Sequence, residues 1–293
     1  MRSTGSFCAR RLLRNEYLRQ SEKRARSAPQ AGGKAVSHDD IAACAGLVHR
    51  GDPLRFRAAM AAPVAARAVL FPLYALNVEV SRAPWVTAEP MIAEMRLQWW
   101  RDALDEVAAG QGARRHEVVT PLARVLDDPA CALLDRLILA RRWDIYRDPF
   151  EDAAAFDQFI EDTAAGLMWV AARALGAPAT AEPALRDIGY GQGVAAWLQA
   201  IPALERAGRK PLVDGRPIAV AALAQKGLAR LARGRAALPR DPAVAAAVLP
   251  SWDSARVLQM AAAQPARVAD GALACGAAGS ALRLLLCRLR GRP

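Results

Sequence analysis

Asp144 and Asp148 stand four residues apart in the run Trp143-Asp144-Ile145-Tyr146-Arg147-Asp148, a spacing that puts two carboxylates on one helix face. Carboxylates so placed can share a divalent cation, since Mg²⁺ is held by carboxylate oxygens together with the phosphates of a substrate. Asp157, Glu161 and Asp162 form a second acidic group further on, and Glu79 lies alone in an apolar stretch. A plainer reading competes with the metal. Asp148 precedes Pro149 at a helix end, and Glu151, Asp152 and Asp157 are acids of the kind that stabilise a helix N-terminus. The other reactive residues offer less. Cys8, Cys44, Cys131, Cys275 and Cys287 are odd in number, scattered and never in a CxxC spacing, which argues against a disulfide framework or a zinc site and for a reducing compartment. His38, His49 and His116 have no HxxxH partner, and each lies in a polar, loop-like context where a solvated imidazole is expected.

The elements that would carry these residues are helices. Ser37 followed by His38, Asp39 and Asp40 places a cap and two acids ahead of an apolar run. Apolar residues then recur at three- and four-residue steps through windows 39–50, 53–61, 64–82, 88–109, 121–126, 130–146, 153–175, 183–207, 217–238, 242–249 and 255–290, the last with a break. The interruptions at 110–115, 127–129, 176–183, 208–217 and 238–242 coincide with Gly and Pro. No alternating strand pattern of useful length occurs, so the fold class is all-α. Windows 64–80 and 164–176 are apolar nearly all round, which places them at the centre of a helical bundle. Trp99 and Trp100 are read as core packing rather than as the lining of a ligand site.

Charge narrows the partners. Residues 1–35 hold nine Lys or Arg against Glu16 and Glu22, and the tail adds Arg283, Arg288, Arg290 and Arg292; together these ends account for the whole formal charge of +11. The body is neutral, so no nucleic-acid partner is expected, because phosphate contacts need Lys and Arg clustered on the fold itself. Residues 1–35 read as a disordered basic arm, an organelle presequence or a start-site artefact, and residues 36–293 as one domain. No stretch of eighteen uninterrupted apolar residues occurs, and the chain is read as not membrane-spanning. Residues 280–293 combine leucines with arginines and suit either a peripheral membrane contact or a final bundle helix with a basic face.

Taken in order, the runs 52–76, 93–104, 110–126, 159–176 and 193–212 resemble the squalene/phytoene synthase family of all-α prenyltransferases. Phe56, Ala59, Pro63, Arg67 and Leu73-Tyr74-Ala75-Leu76 match the family's first landmark, with Arg55 where a serine is usual. Leu97–Leu104 resembles its tryptophan-containing helix, 163–168 its small-residue pocket helix around Gly166, and Gly208-Arg209 the Gly-Arg pair after its second aspartate motif. The resemblance implies an isoprenoid-synthase bundle with a central apolar cavity walled by 64–80, 153–175 and 183–207. It also implies two aspartate clusters that bind Mg²⁺ and ionise an allylic diphosphate. The clusters are missing. The first would fall on Ser81, Arg82 and Trp85, and the second on Ala200 and Leu204 with Pro202 between them. Arg82 would put a cation where Mg²⁺ should sit. Asp144 matches an aspartate common in active relatives.

A frame kept with its carboxylates lost resembles a degenerate branch of the family, whose best-known member is an assembly factor for respiratory complex I in mitochondria. The expectation is therefore a non-catalytic assembly or lipid-binding protein with no cofactor. Its partner would be a respiratory complex or another protein, with an apolar lipid or isoprenoid as possible ligand. It is expected in the cytoplasm or at the periphery of the inner membrane, and in mitochondria only if residues 1–35 are a presequence. The alternative is an active prenyltransferase with Mg²⁺ on an altered site of Glu79, Asp144 and Asp148. Arg67, Tyr74, Asn77, Glu79, Asp144, Asp148, Gly166 and Arg209 are the candidate cavity and binding residues.

Overall fold

Most of the long helices begin where the chain supplies a capping aspartate or a proline. In the computed structural model, which describes residues 38–87 and 89–292, the helices are α1 (His38–Gly51), α2 (Pro53–Ala61), α3 (Val64–Arg82), α4 (Pro90–Ala108), α5 (Asp128–Ala140), α6 (Ala153–Ile160), α7 (Gly166–Ala174), α8 (Glu182–Arg206), α9 (Pro217–Ala237), α10 (Ser254–Ala263) and α11 (Ala277–Arg290). Asp52 caps α2 by accepting from Arg55 N at 2.9 Å, Asp127 caps α5 from Ala130 N at 3.0 Å, and Asp152 caps α6 from Ala155 N at 2.7 Å. Asp152 is thus one of the helix-start acids that the spacing suggested. The expected basic arm at 1–35 lies outside the described residues.

Among the described residues there is no strand, and the all-α class holds. Four windows differ in detail. The expected helix over 130–146 ends at Ala140 and restarts as a single turn, Trp143–Tyr146, after which Arg147 adopts a left-handed φ of 60°. Window 153–175 is divided by a π-helical turn, Glu161–Ala165. Only Val119–Leu122 of the 121–126 region is helical. The C-terminal window breaks twice, leaving a short turn at Ala266–Ala269 between α10 and α11. At Arg141 and at the π-helical turn the apolar period continues across the break, so the pattern alone does not reveal it, whereas the C-terminal breaks fall at Pro265, Gly271 and Gly276.

The centre of the bundle is α8. It is buried on nearly every side from Ala184 to Leu204 and packs against α7, α9, α10 and the π-helical turn. The other wall is α3, buried from Leu70 to Val78 and packed on α1, α2 and α7. The segment Val64–Trp85 is long and apolar enough to cross a membrane by composition, but most of it is covered by other helices. Trp100 is buried, with Trp99 edge-on at 4.9 Å, as core packing requires. His116 departs from expectation: its ring packs 5.2 and 5.3 Å from the two indoles, and its Nδ1 accepts from Val118 N.

Between α8, the π-helical turn and α9 runs a charged seam. The Asp187 carboxylate accepts from Arg230 Nε at 2.8 Å and from Arg233 Nε and Nη2 at 2.5 and 2.7 Å. Arg230 also pairs with Glu161, and Tyr190 Oη donates to Asp157 at 2.5 Å. Burial alone would raise the Asp187 carboxyl, but the hydrogen bonds from Arg233 and Arg230 outweigh it and hold the group below the usual carboxylate range. A depressed folded value stabilises the fold above the unfolded value, near 3.9, and that stability is lost as pH falls through the folded value. Asp187→Asn should therefore lower stability at pH 7 by about 2 kcal/mol. In urea denaturation the gap from the parent chain should close below about pH 4.

Candidate functional site

The segments that follow the two landmark helices meet. At the end of α3, Ser81 is half-buried, Arg82 points to solvent with a 4.0 Å pair to Glu79, and a 3₁₀ turn, Ala83–Trp85, carries Trp85 outward. Arg82 is thus a surface residue rather than a cation in a metal position. At the end of α8, Pro202 is accommodated within the helix, Ala200 is half-buried and Leu204 is buried. The left-handed Gly208 then turns the chain so that Arg209 folds inward. Its guanidinium sits 5.0 Å from the Trp85 ring, so the two landmarks meet as an arginine under an indole.

Arg209 is 7% exposed, and its Nη2 donates to the backbone carbonyl of Asp144. Asp144 is 3% exposed, with Oδ2 3.6 Å from Arg141 Nη1. Burial pushes the Asp144 carboxyl up from its ordinary value, while Arg141 and Arg209 pull against that rise. Arg141 lies over the Phe159 ring at 5.7 Å, beside an aromatic cluster in which Trp143 stacks on Phe150 at 4.5 Å and meets Trp197 edge-on. Several buried polar atoms here make no hydrogen bond: Arg209 Nε and Nη1, Arg141 Nε, Asp144 Oδ2 and Trp143 Nε1.

A separate small cavity lies deeper, lined by Arg55, Tyr74, Ala164, Leu167, Met168, Gln192, Ala247 and Pro250. Arg55 is held by Asp52 at 2.6 Å and lies over the Tyr74 ring at 5.8 Å. Burial holds the Tyr74 hydroxyl well above its usual range. The walls come from the predicted helices, and the lining is mostly apolar. The cavity is about 10 Å³, room for roughly one water, whereas ligand pockets run to hundreds of Å³. The cause is glycine packing. A Cβ at Gly193 would lie 2.5 Å from Ala164 Cβ, and one at Gly189 would lie 2.7 Å from Ala165 Cα, so α8 seats directly on the π-helical turn.

The remaining candidates do not converge. Arg67 donates to Met60 O at 2.8 Å, eighteen residues before Trp85 and so roughly 27 Å along the helical path. Asn77 is buried with Oδ1 unpartnered, Gly166 begins α7, and Asp148 is exposed beyond the Arg147 turn. Glu79, Asp144 and Asp148 thus differ in burial and partners. Among the described residues, no three His, Cys, Asp or Glu side chains gather as a metal-ligand set. Mg²⁺ requires oxygen donors, and the residues at the two landmarks do not fit it. Arg55 and Arg141 were not among the sequence candidates. Arg55 stood out only as the replacement for a serine, and Arg141 carried no signal beyond a cation within an apolar helix pattern.

An α-helical bundle with two facing landmark helices defines a prenyltransferase-type frame, and the comparisons agree. Residues 48–292 match the squalene/phytoene synthase family, and the chain belongs to it. Its fold is similar to a dehydrosqualene synthase crystallised with ligand, at a TM-score of 0.67 and 12% identity over 86% of this chain and 96% of that one. It also resembles a squalene synthase from Alicyclobacillus acidocaldarius, at a TM-score of 0.52 and 16% identity over 87% and 95%. In sequence it is 30% identical over 170 residues to the complex I assembly factor 6 homolog of Drosophila melanogaster, covering 54% of this chain and 50% of that protein. With the Bos taurus assembly factor 6 it shares 24% identity over 217 residues, 67% of this chain and 61% of the relative. The chain thus spans between half and about three fifths of the length of these curated relatives.

The seat of α8 on the π-helical turn is open to test. Gly193→Ala should destabilise the fold by about 2 kcal/mol through overpacking, read as a lower urea midpoint with unchanged slope.

Proposed function

We propose that the chain is a non-catalytic binding or assembly factor on a prenyltransferase frame, acting in the assembly of respiratory complex I. The observation that carries this reading is the meeting of the two landmark helices, where Trp85 stacks on Arg209 and no pair of carboxylates faces across. Bridging a diphosphate through Mg²⁺ needs carboxylates on both helices, and the cavity beside Tyr74, at about 10 Å³, is too small for a polyprenyl chain. The names of the two curated relatives support the complex I role. An active enzyme on Glu79, Asp144 and Asp148 is disfavoured, because Glu79 pairs with Arg82 while Asp144 is buried and Asp148 exposed.

Two assays test the proposal. Purified chain with geranylgeranyl or farnesyl diphosphate and Mg²⁺ should release no diphosphate above the blank; turnover near an enzyme-like 1 s⁻¹, in order of magnitude, would overturn the non-catalytic reading. Disrupting the coding sequence in its host should deplete assembled complex I on native gels, and normal complex I would overturn the assembly reading.

The working place proposed is the surface of the membrane that carries complex I, reached in mitochondria if residues 1–35 are a presequence. Supporting this, α11 is tied to the bundle through Ser280 and Trp252 yet leaves Leu282, Leu285 and Leu289 57, 50 and 72% exposed beside Arg288 and Arg290. Leu289→Glu should cut co-sedimentation with anionic vesicles several-fold; unchanged binding would remove α11 as the contact.

A further inference from the structure

The first turns of α4 are apolar on the side that faces solvent. Met91, Ile92 and Met95 are 74, 48 and 66% exposed, while Ala93, Leu97 and Trp100 on the opposite side are buried in the bundle. Trp85 and Val86 are also exposed, and the 3₁₀ turn that ends at Trp85 packs against α4. A single exposed apolar side chain needs no explanation. Five large ones within eleven residues, three of them on one helix stripe, form a patch of the kind that marks an interaction surface.

Charge closes one flank of that stripe and leaves the other open. Glu94, on the first flank, accepts from Arg142 Nε at 2.9 Å and from Tyr146 Oη at 2.8 Å. On the second flank Glu89 and Arg96 stand exposed, two helical turns apart. Among the described residues neither side chain has an ion partner. Their placement is self-complementary. In a second copy turned antiparallel about a two-fold axis between Ile92 and Ala93, Glu89 of each chain comes level with Arg96 of the other, on the same flank. Ile92 then meets its own counterpart, and Met91 comes beside Met95. A two-fold contact needs a surface that is its own complement in this way.

We propose that the chain pairs with a second copy of itself through the outer faces of two antiparallel α4 helices. Met91, Ile92 and Met95 form the apolar centre, and Glu89 with Arg96 the charged rim that fixes the register. Five apolar side chains with a polar rim suit an interface at the smaller end of the range, about 600 Å² per partner, with a dissociation constant of micromolar order. An anionic bilayer is the other surface that a patch bearing Trp and Met can meet. There the carboxylate of Glu89 is repelled by the headgroups, whereas in the pair Arg96 answers it. The inference is independent of the complex I reading and of the α11 contact, since it rests on α4 alone.

Sedimentation velocity on the full chain from about 1 to 100 µM reads the association directly. A concentration-dependent shift from monomer to dimer is expected, with no larger species, because a two-fold contact closes on itself. Ile92→Glu and Met95→Glu should each weaken it by about tenfold or more, whereas Leu289→Glu on α11 should leave it unchanged. Glu89→Arg and Arg96→Glu should each weaken it several-fold, and the two changes in one chain should restore it, since the pair is then reversed rather than broken. All of these positions are exposed, and an unchanged urea midpoint of the monomer checks that each variant folds. A chain that stays monomeric across the whole range, a dimer indifferent to Ile92→Glu, or a double reversal that fails to restore the contact would overturn the proposal. So would a monomer whose binding to anionic vesicles is lost in Ile92→Glu, because that result assigns the patch to lipid.

Discussion

The close seat of α8 on the π-helical turn is the constraint on which the rest of this structure depends. Gly189 and Gly193 lie one turn apart on the same face, so the helix backbone can approach Ala164 and Ala165 to distances that no side chain would permit. That approach holds α7 and the π-helical turn close against α8, and the cavity beside Tyr74 measures about 10 Å³. Gly191, between them, faces the other way onto Gly227 and Leu231 of α9, so the central helix is clasped from both sides. Close packing of this kind resists opening, because interiors at crystal-like density have few small adjustments available.

Polar residues follow the same geometry. Asp187, Glu161 and Asp157 form a seam with Arg230, Arg233 and Lys226 that fastens α9 across α8. Those acids are answered by basic partners at contact distance. The group around Asp144 is different: Arg209 and Asp144 are buried and Arg141 half-buried, with donors and an acceptor left over.

Much of the fold was legible in the chain. The bounds 53–61 and 64–82 agree with α2 and α3, because Asp52-Pro53 and Pro63 mark helix starts by capping and by a fixed φ. The apolar period placed Trp100 in the core. Less visible were the break at Arg141-Arg142 and the π-helical turn, since both preserve the apolar period and are set by what packs against them. Among the site residues, Arg209 and Asp144 were named from family positions and do lie together, whereas Arg67, named on the same footing, and Asp148, named for its spacing from Asp144, lie elsewhere. Arg141 and Arg55 were missed because an arginine in an apolar helix reads as a surface residue until its neighbours are known.

The amino-acid sequence by itself determined the class, the helical elements, the family and the loss of carboxylates at both landmarks, because these depend on residue type, period and local capping. Whether a cavity remains between the helices, which way Arg82 and Arg209 point, and which charges go unpaired were decided only by the tertiary structure. The physical reason is that glycine is silent in a linear pattern and acts only through what it allows to come near. At Gly189 and Gly193 that neighbour is a backbone turn from another part of the chain. Charge compensation is likewise a property of pairs brought together by folding, as Asp144 and Arg209 are across sixty-five residues.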